Sequence, residues 1–430
     1  MRGNPDRSGR VAWIATMAIA LAAAGRFASG SAARAAEGSE VETLHGLREG
    51  VRFGVSVAVA ALERGWWIAV GDDGVEDGVP AEGLVEVFRR DARSAASSQR
   101  FDRVMGAAAR AFDRFGAAIA LDGDVLLVGA PGDDTFGSGA GRAEVHRLGE
   151  SGVVGEAVLF DPDPAPADGF GGAVAIAGDL AVVGAMRADV AGLDSGRIVV
   201  FERIGLAWHP VASLAPPDAA AGDWFGHAVA TDGRRIAVGA YGDDDLGEKS
   251  GAVWVLARDD GGWAFEAKLV APDGGPQKWF GFALAIEGDR LLVGSPRDAP
   301  QGPSSGSVWA FTRDDAGWSP RSKILARDGR PFDWFGYAIA MQGSEAVVGA
   351  PGRDLTLADG SIADAAGDVV RLERRGERWR SLERHPPQSP HADRLAGSCV
   401  AIDRGMAAFG QLLAEDVLPL PGEAWVFTSR

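Results

Sequence analysis

The chain has 430 residues, of which 61 are glycine, a formal net charge of −17 and one cysteine, Cys399. So acidic a surface repels nucleic acid and anionic lipid, which removes both from the list of expected partners. A single cysteine allows no intramolecular disulfide, so stability has to come from buried apolar surface.

The first segment reads as a targeting sequence. Arg2, Arg7 and Arg10 precede an apolar run from Val11 to Ala24, and Ala33-Arg34-Ala35 has the small-x-small pattern of a signal peptidase site. Residues 1–35 are therefore expected to be a signal peptide, and the mature chain to be secreted, periplasmic or at the cell surface. The run is shorter than the roughly 20 residues of a spanning helix. Nothing later is apolar for longer, so no membrane span is expected in the mature chain.

Residues 36–430 are expected to form one domain with an internal repeat. Phe115-Gly116, Phe170-Gly171, Phe225-Gly226, Phe280-Gly281 and Phe335-Gly336 are spaced 55 residues apart, and weaker copies start at Phe53 and Ala396. In the unit that starts at Phe225, strands are predicted over Gly226 to Thr231, Arg235 to Ala240, Ala252 to Leu256 and Trp263 to Val270. Asp232-Gly233 supplies a tight hairpin turn between the first two. A second glycine recurs fourteen residues after the anchor, as at Gly129, Gly184, Gly239 and Gly410. Four antiparallel strands repeated seven times give an all-β fold, a seven-bladed β-propeller. The last unit ends at its third strand, Ala424 to Phe427, whereas Glu40 to Leu44 stand where a fourth strand would precede the first anchor. An N-terminal strand that completes the last blade would close the ring and leave no bare edge.

Phe-Gly together with Gly129-Ala130-Pro131 and Gly349-Ala350-Pro351 resembles the FG-GAP repeat of integrin alpha-chain heads and of many exported bacterial proteins. The resemblance covers about residues 40 to 430 and implies an extracellular binding or adhesion module, without enzymatic activity, whose partner is a protein or a glycan. A monomer is expected. Integrin-type repeats carry a calcium loop between the first two strands; here that place holds only tight turns such as Leu121-Asp122-Gly123-Asp124, so no metal and no cofactor is carried over and the calcium-free bacterial branch is the better likeness.

In a propeller the long second-to-third and blade-to-blade connections share one face, and function on loops belongs there. Acidic residues concentrate on those loops: Asp72-Asp73, Asp133 and Asp134, Asp243, Asp244 and Asp245 with Glu248, and Asp354 with Asp359 and Asp364. They are candidates for a ligand face, against the plainer reading that aspartates brace turns through their own side chains. Trp224, Trp279 and Trp334, one before each anchor, could stack on a sugar, but their register with the structural glycines favours packing between blades. The same holds for Trp208, Trp263 and Trp318. Of six histidines only His385 and His391 are close, without the second ligand pair that zinc needs. Cys399 sits where other units place Ala or Ser and reads as a small buried residue. No catalytic residue is assigned, since no nucleophile elbow, phosphate loop or metalloprotease motif is present. The alternative is a propeller hydrolase or lyase acting on an extracellular polymer such as polysaccharide, with carboxylates converging from several blades.

Overall fold

A computed structural model describes residues 41–46, 52–76, 79–80, 82–92, 97–412 and 422–428. The proposed signal peptide lies outside the described residues. Those described form seven four-stranded antiparallel sheets and two small two-stranded hairpins, with no helix among them. Blades 1 to 7 begin with the strands Phe53–Leu62, Ala118–Asp122, Ala173–Ala177, Ala228–Thr231, Leu284–Glu287, Ile339–Gln342 and Ala396–Asp403. Each of these first strands packs against the first strands of the blades on either side, and that of blade 7 returns to that of blade 1. The seven therefore line a closed central channel, as a propeller requires.

Blade 4 shows the unit: Ala228–Thr231, Arg235–Ala240, Ala252–Asp259 and Gly262–Val270, each paired with the next. The second strand falls where the sequence places it. The first begins two residues later than expected, because Phe225-Gly226 belongs to the blade junction: Gly226 has a φ of +89°, and a β-carbon there would lie 2.5 Å from the carbonyl oxygen of Arg197 in blade 3. The third strand runs three residues further, to Asp259, since the second hairpin turns on Asp260-Gly261 alone. In blades 1 to 6 the pairing of third and fourth strands slips midway, a bulge that increases the twist of the outer edge.

Anchor phenylalanines Phe53, Phe115, Phe170, Phe225, Phe280 and Phe335 are fully buried, and Ala396 takes the same place in blade 7. Their rings meet the third strand edge-on, as in Phe170–Phe201 at 6.2 Å and Phe280–Phe311 at 6.0 Å. Tight turns on the opposite face also link blades: Asp122 accepts from Gly178 N at 2.6 Å, and Asp232 from Gly288 N at 2.7 Å.

The ring closes as expected. Val41–His45 pairs with Glu423–Thr428 as the fourth strand of blade 7, with Leu44 opposite Ala424 and buried in the core shared with blade 1. Blades 1 and 6 extend the long-loop face with small hairpins, Val75–Glu76 with Val79–Pro80 and Leu355–Thr356 with Ile362–Ala363.

Candidate functional site

The acidic loops turn inward. Asp133 is buried, accepts from Thr135 N at 2.9 Å and meets Arg142 at 2.9 Å. Asp243 is buried likewise, accepts from Asp245 N at 3.1 Å and meets Lys268 Nζ at 2.8 Å, and Asp245 meets the same ammonium at 2.6 Å. Asp134, Asp244 and Asp354 are exposed, yet each spans its loop by accepting a backbone N–H, from Gly139 at 2.7 Å, Lys249 at 2.6 Å and Ala365 at 2.8 Å. Glu248 is exposed, and its backbone carbonyl accepts from Gln277 N at 2.6 Å. The aspartate carboxylates thus sit blade by blade, each bound to its own loop or junction. No group of three or more metal-ligating side chains gathers among the described residues.

Charge is instead balanced at the blade junctions. Asp168 and Asp161 meet Arg197 at 3.1 and 2.8 Å, and Asp333 meets Arg353 at 2.8 Å. Lys268 holds Asp218, Asp243 and Asp245 within 2.8 Å; burial pulls its pKa down, but bonds to the three carboxylates outweigh this and hold it above the ordinary lysine value. Asp223 caps the backbone at Ala220 N, 2.7 Å away. Burial pushes its carboxyl up to about 6, against that hydrogen bond and with help from nearby Asp243.

A different surface lies where the first strands open onto the long-loop face. Three positions converge at this channel mouth: the residue before the anchor, the residue two after it, and the loop just past the second strand. Blades 1, 2, 3 and 7 place Val55, Ala117, Gly172 and Ser398 two after the anchor; blades 4, 5 and 6 place His227, Phe282 and Tyr337. With Trp224, Trp279, Trp334 and Tyr241 these rings form one continuous arc, in which Tyr241 and Trp279 are buried and the other five are partly exposed. Trp224 lies 4.8 Å from Tyr241, Tyr241 5.3 Å from Trp279, Phe282 4.7 Å from Tyr337, and Trp334 stacks on Tyr337 at 6.2 Å. Trp279 and Phe282 stack at 17°. Burial lowers the His227 pKa to about 4, so its ring is neutral at physiological pH.

Of the tryptophans before the anchors, Trp279 reaches Tyr241 of the preceding blade, whereas Trp224 packs on Tyr241 and Trp334 on Tyr337 within their own blades. Trp208, Trp263 and Trp318 instead tie outer strands together, donating Nε1–H to Glu156, Glu202 and Glu266 at 2.9, 3.3 and 3.2 Å. His385 is buried against Phe427 at 4.0 Å in the blade 6 to 7 interface. Cys399 donates to Gly54 O at 3.2 Å, and burial raises its thiol to about 12, which suits an inert packing residue.

Two mouth residues give no signal in a single repeat unit. Arg187 and Arg297 follow the second strands of blades 3 and 5, where blades 2, 4 and 6 carry Gly132, Gly242 and Gly352. Arg297 lies over the Trp279 ring at 4.5 Å. Aligning the seven units and asking which positions depart from the small consensus would have found both.

A second opening, of about 520 Å³, lies between blades 1 and 2 beside buried Glu144 and His146. His146 occupies the third-strand position held by Phe201 in blade 3 and Phe311 in blade 5, and it packs edge-on to Phe115 at 6.0 Å as they pack on their own anchors. Its polar walls are committed: Glu144 meets Arg142 at 3.1 Å and accepts from Ala107 N at 3.0 Å, while Glu156 meets Arg147 at 2.8 Å.

Among curated proteins none matches the chain. The family model for the FG-GAP repeat matches residues 106–145, 154–201, 208–256, 263–311 and 318–366, together more than half of the sequence. The matches 154–201, 208–256 and 263–311 each join the fourth strand of one blade to the first three of the next, and 318–366 joins the fourth strand of blade 5 to the first two of blade 6, so the repeat as a sequence unit is offset from the blade as a structural one. The chain belongs to the FG-GAP repeat family.

Proposed function

We propose that the protein is an exported, non-enzymatic binding or adhesion module that takes an extracellular protein or glycan at the channel mouth of its long-loop face. The observation that carries this reading is the aromatic arc of blades 4 to 6. At positions where the other blades keep small side chains, three successive blades place large rings, and a scaffold alone needs no such departure. The long-loop aspartates, with their carboxylates drawn into their own loops and junctions, then shape the rim around that centre. Export rests on the basic and apolar character of residues 1–35, and an N-terminus at Ala36 in protein recovered outside the cytoplasm is the expected result.

An array of extracellular glycans and proteins tests the binding reading. The wild type is expected to select a ligand, and the partly exposed Trp224 and Trp334, each changed to alanine, to lose it in variants that still unfold cooperatively. Retention of the ligand by both variants would place binding elsewhere. The competing enzymatic reading draws on Asp223, whose carboxyl is held up to about 6 beside Trp224. Turnover of a polysaccharide by purified protein, lost in Asp223→Asn, would favour it over a binding module.

A further inference from the structure

The opening between blades 1 and 2 lies where two cross-strand neighbours have lost their bulk. At the bulge between third and fourth strands, blades 1, 3, 4 and 5 oppose Phe88 to Arg100, Phe201 to Pro210, Leu256 to Phe265 and Phe311 to Pro320. Blade 2 opposes His146 to Gly155. Directly paired residues share one face of a sheet, so a side chain at the fourth-strand position can cover the third-strand ring, as Arg100 lies over Phe88 at 5.2 Å. Gly155 is exposed and covers nothing; a β-carbon on it would lie 3.8 Å from His146 Nδ1 and 3.9 Å from Cε1. About 520 Å³ opens at this spot.

His146 is only 5% exposed, yet neither of its ring nitrogens is satisfied. Nε2 lies 3.3 Å from Glu144 Oε2 without forming a hydrogen bond, and Nδ1 has no hydrogen-bond partner among the described residues. With a carboxylate on the Nε2 side, the proton of the neutral ring sits there, and the Nδ1 lone pair is left on the edge that Gly155 uncovers. A buried acceptor without a donor is costly, and a ligand that brings the donor removes that cost.

The rest of the opening sets the shape and charge of such a ligand. Val104, Val153 and Ala157 make apolar walls, and Met105 and Val158 are exposed at the rim. Charge at the floor cancels, because Glu144 meets Arg142 at 3.1 Å and accepts from Ala107 N at 3.0 Å. Arg103, the cation among the lining residues, is exposed, where water screens it. An ion therefore finds no buried counter-charge here, and the volume is that of pockets that take drug-sized molecules.

We infer that this pocket is a second binding site, independent of the channel mouth, and that it takes a neutral phenol larger than a single ring. The phenol hydroxyl donates to His146 Nδ1 while the rings lie against the valines and the Met105 thioether. A phenolic O–H is a more acidic donor than an aliphatic one, and the carboxylate behind the imidazole strengthens the acceptor.

Equilibrium dialysis of the full chain against para-phenylphenol and its methyl ether tests this, since the two differ in the donor alone. The phenol should bind about ten-fold tighter than the ether. His146→Phe, which installs the residue of blades 1, 3 and 5, should bring the phenol down to the ether. Gly155→Val fills the opening from a position without positive φ and should weaken both ligands by at least about ten-fold. Should either variant fail to fold, labelled methionine methyl groups keep the test open. The resonance missing from Met105→Leu, a change at the exposed rim, should shift when the phenol is added to the wild type. No wild-type binding of the phenol, equal affinity for phenol and ether, undiminished binding by folded Gly155→Val, or an unmoved Met105 methyl would overturn the inference. Phenol binding kept in Gly155→Val and lost in Trp224→Ala would place the ligand at the channel mouth, and would overturn it equally.

Discussion

The carbonyl oxygen of Gly54 occupies the space that a β-carbon on Gly410 would need, so the last blade meets the first backbone to backbone. The same contact joins Gly184 to Gly226, Gly239 to Gly281 and every other neighbouring pair around the ring. The two glycines of the repeat are therefore the two halves of one joint. The anchor glycine turns its carbonyl toward the preceding blade, and the second glycine of that blade leaves room for it.

Gly410→Ala forces the joint apart and is expected to lower stability by on the order of 3 kcal/mol. Gly178→Ala is the control: it has positive φ, +58°, but nothing lies within 4 Å of its added β-carbon. Its cost should stay near 1 kcal/mol, that of the left-handed conformation alone. Urea unfolding of both variants checks the difference, and equal losses would deny the interlock.

Ring closure depends on a strand about 380 residues away in sequence from its partner. Leu44→Asp places a charge in the core shared by blades 7 and 1 and should cost roughly 3 kcal/mol or more. It should also bare the edge of Glu423–Thr428, so self-association on size-exclusion chromatography is expected with the loss of stability. A monomer that melts like the wild type would mean the strand does not close the ring.

Lys268 holds three carboxylates together. Lys268→Met leaves buried Asp243 without its cation, and a loss of about 3 kcal/mol is expected. Adding Asp243→Asn should recover much of it, because the stranded charge goes with the cation. Chemical denaturation of the two variants gives the comparison, and a double variant no better than the single would argue against the pairing.

Asp223 should tilt stability with pH. Its carboxyl titrates near 6 in the folded chain, above the usual value of about 3.9, so the folded state keeps a proton that the unfolded state has released. Stability therefore falls as pH rises from about 4 to about 6 and is flat beyond. Asp223→Asn, whose side-chain oxygen can still accept from Ala220 N, should match the wild type near pH 4 and exceed it near pH 7. Urea midpoints across that range measure it. Parallel curves for the two proteins would show that Asp223 titrates normally.

Much of the scaffold was legible because it repeats. The anchor spacing, the hairpin glycines and the fourth strand missing from the last unit carry the blade count and the closure. The alternation of its neighbours places Gly226 in a strand; its positive φ goes with its close approach to the adjacent blade, which no local pattern shows. The loop acids were harder to read, because their cations come from different places: Arg142 and Arg197 from third strands, Lys268 and Lys323 from fourth strands, Arg353 from a loop position that holds Asp133 and Asp243 in other blades. A drifting partner leaves no period. The mouth escaped for a related reason, since Arg187 and Arg297 stand in blades 3 and 5 while blades 2, 4 and 6 carry Gly132, Gly242 and Gly352 at that position.

Hydroxyl-radical footprinting of the protein with and without the ligand selected from the array bears most directly on where this propeller binds. Protection concentrated at the partly exposed Trp224, Phe282, Trp334 and Tyr337, with the outer strands unchanged, is the predicted result. Protection confined to the outer fourth strands, or to the loops carrying Asp134, Asp244 and Asp354 with the mouth rings still reactive, would contradict it.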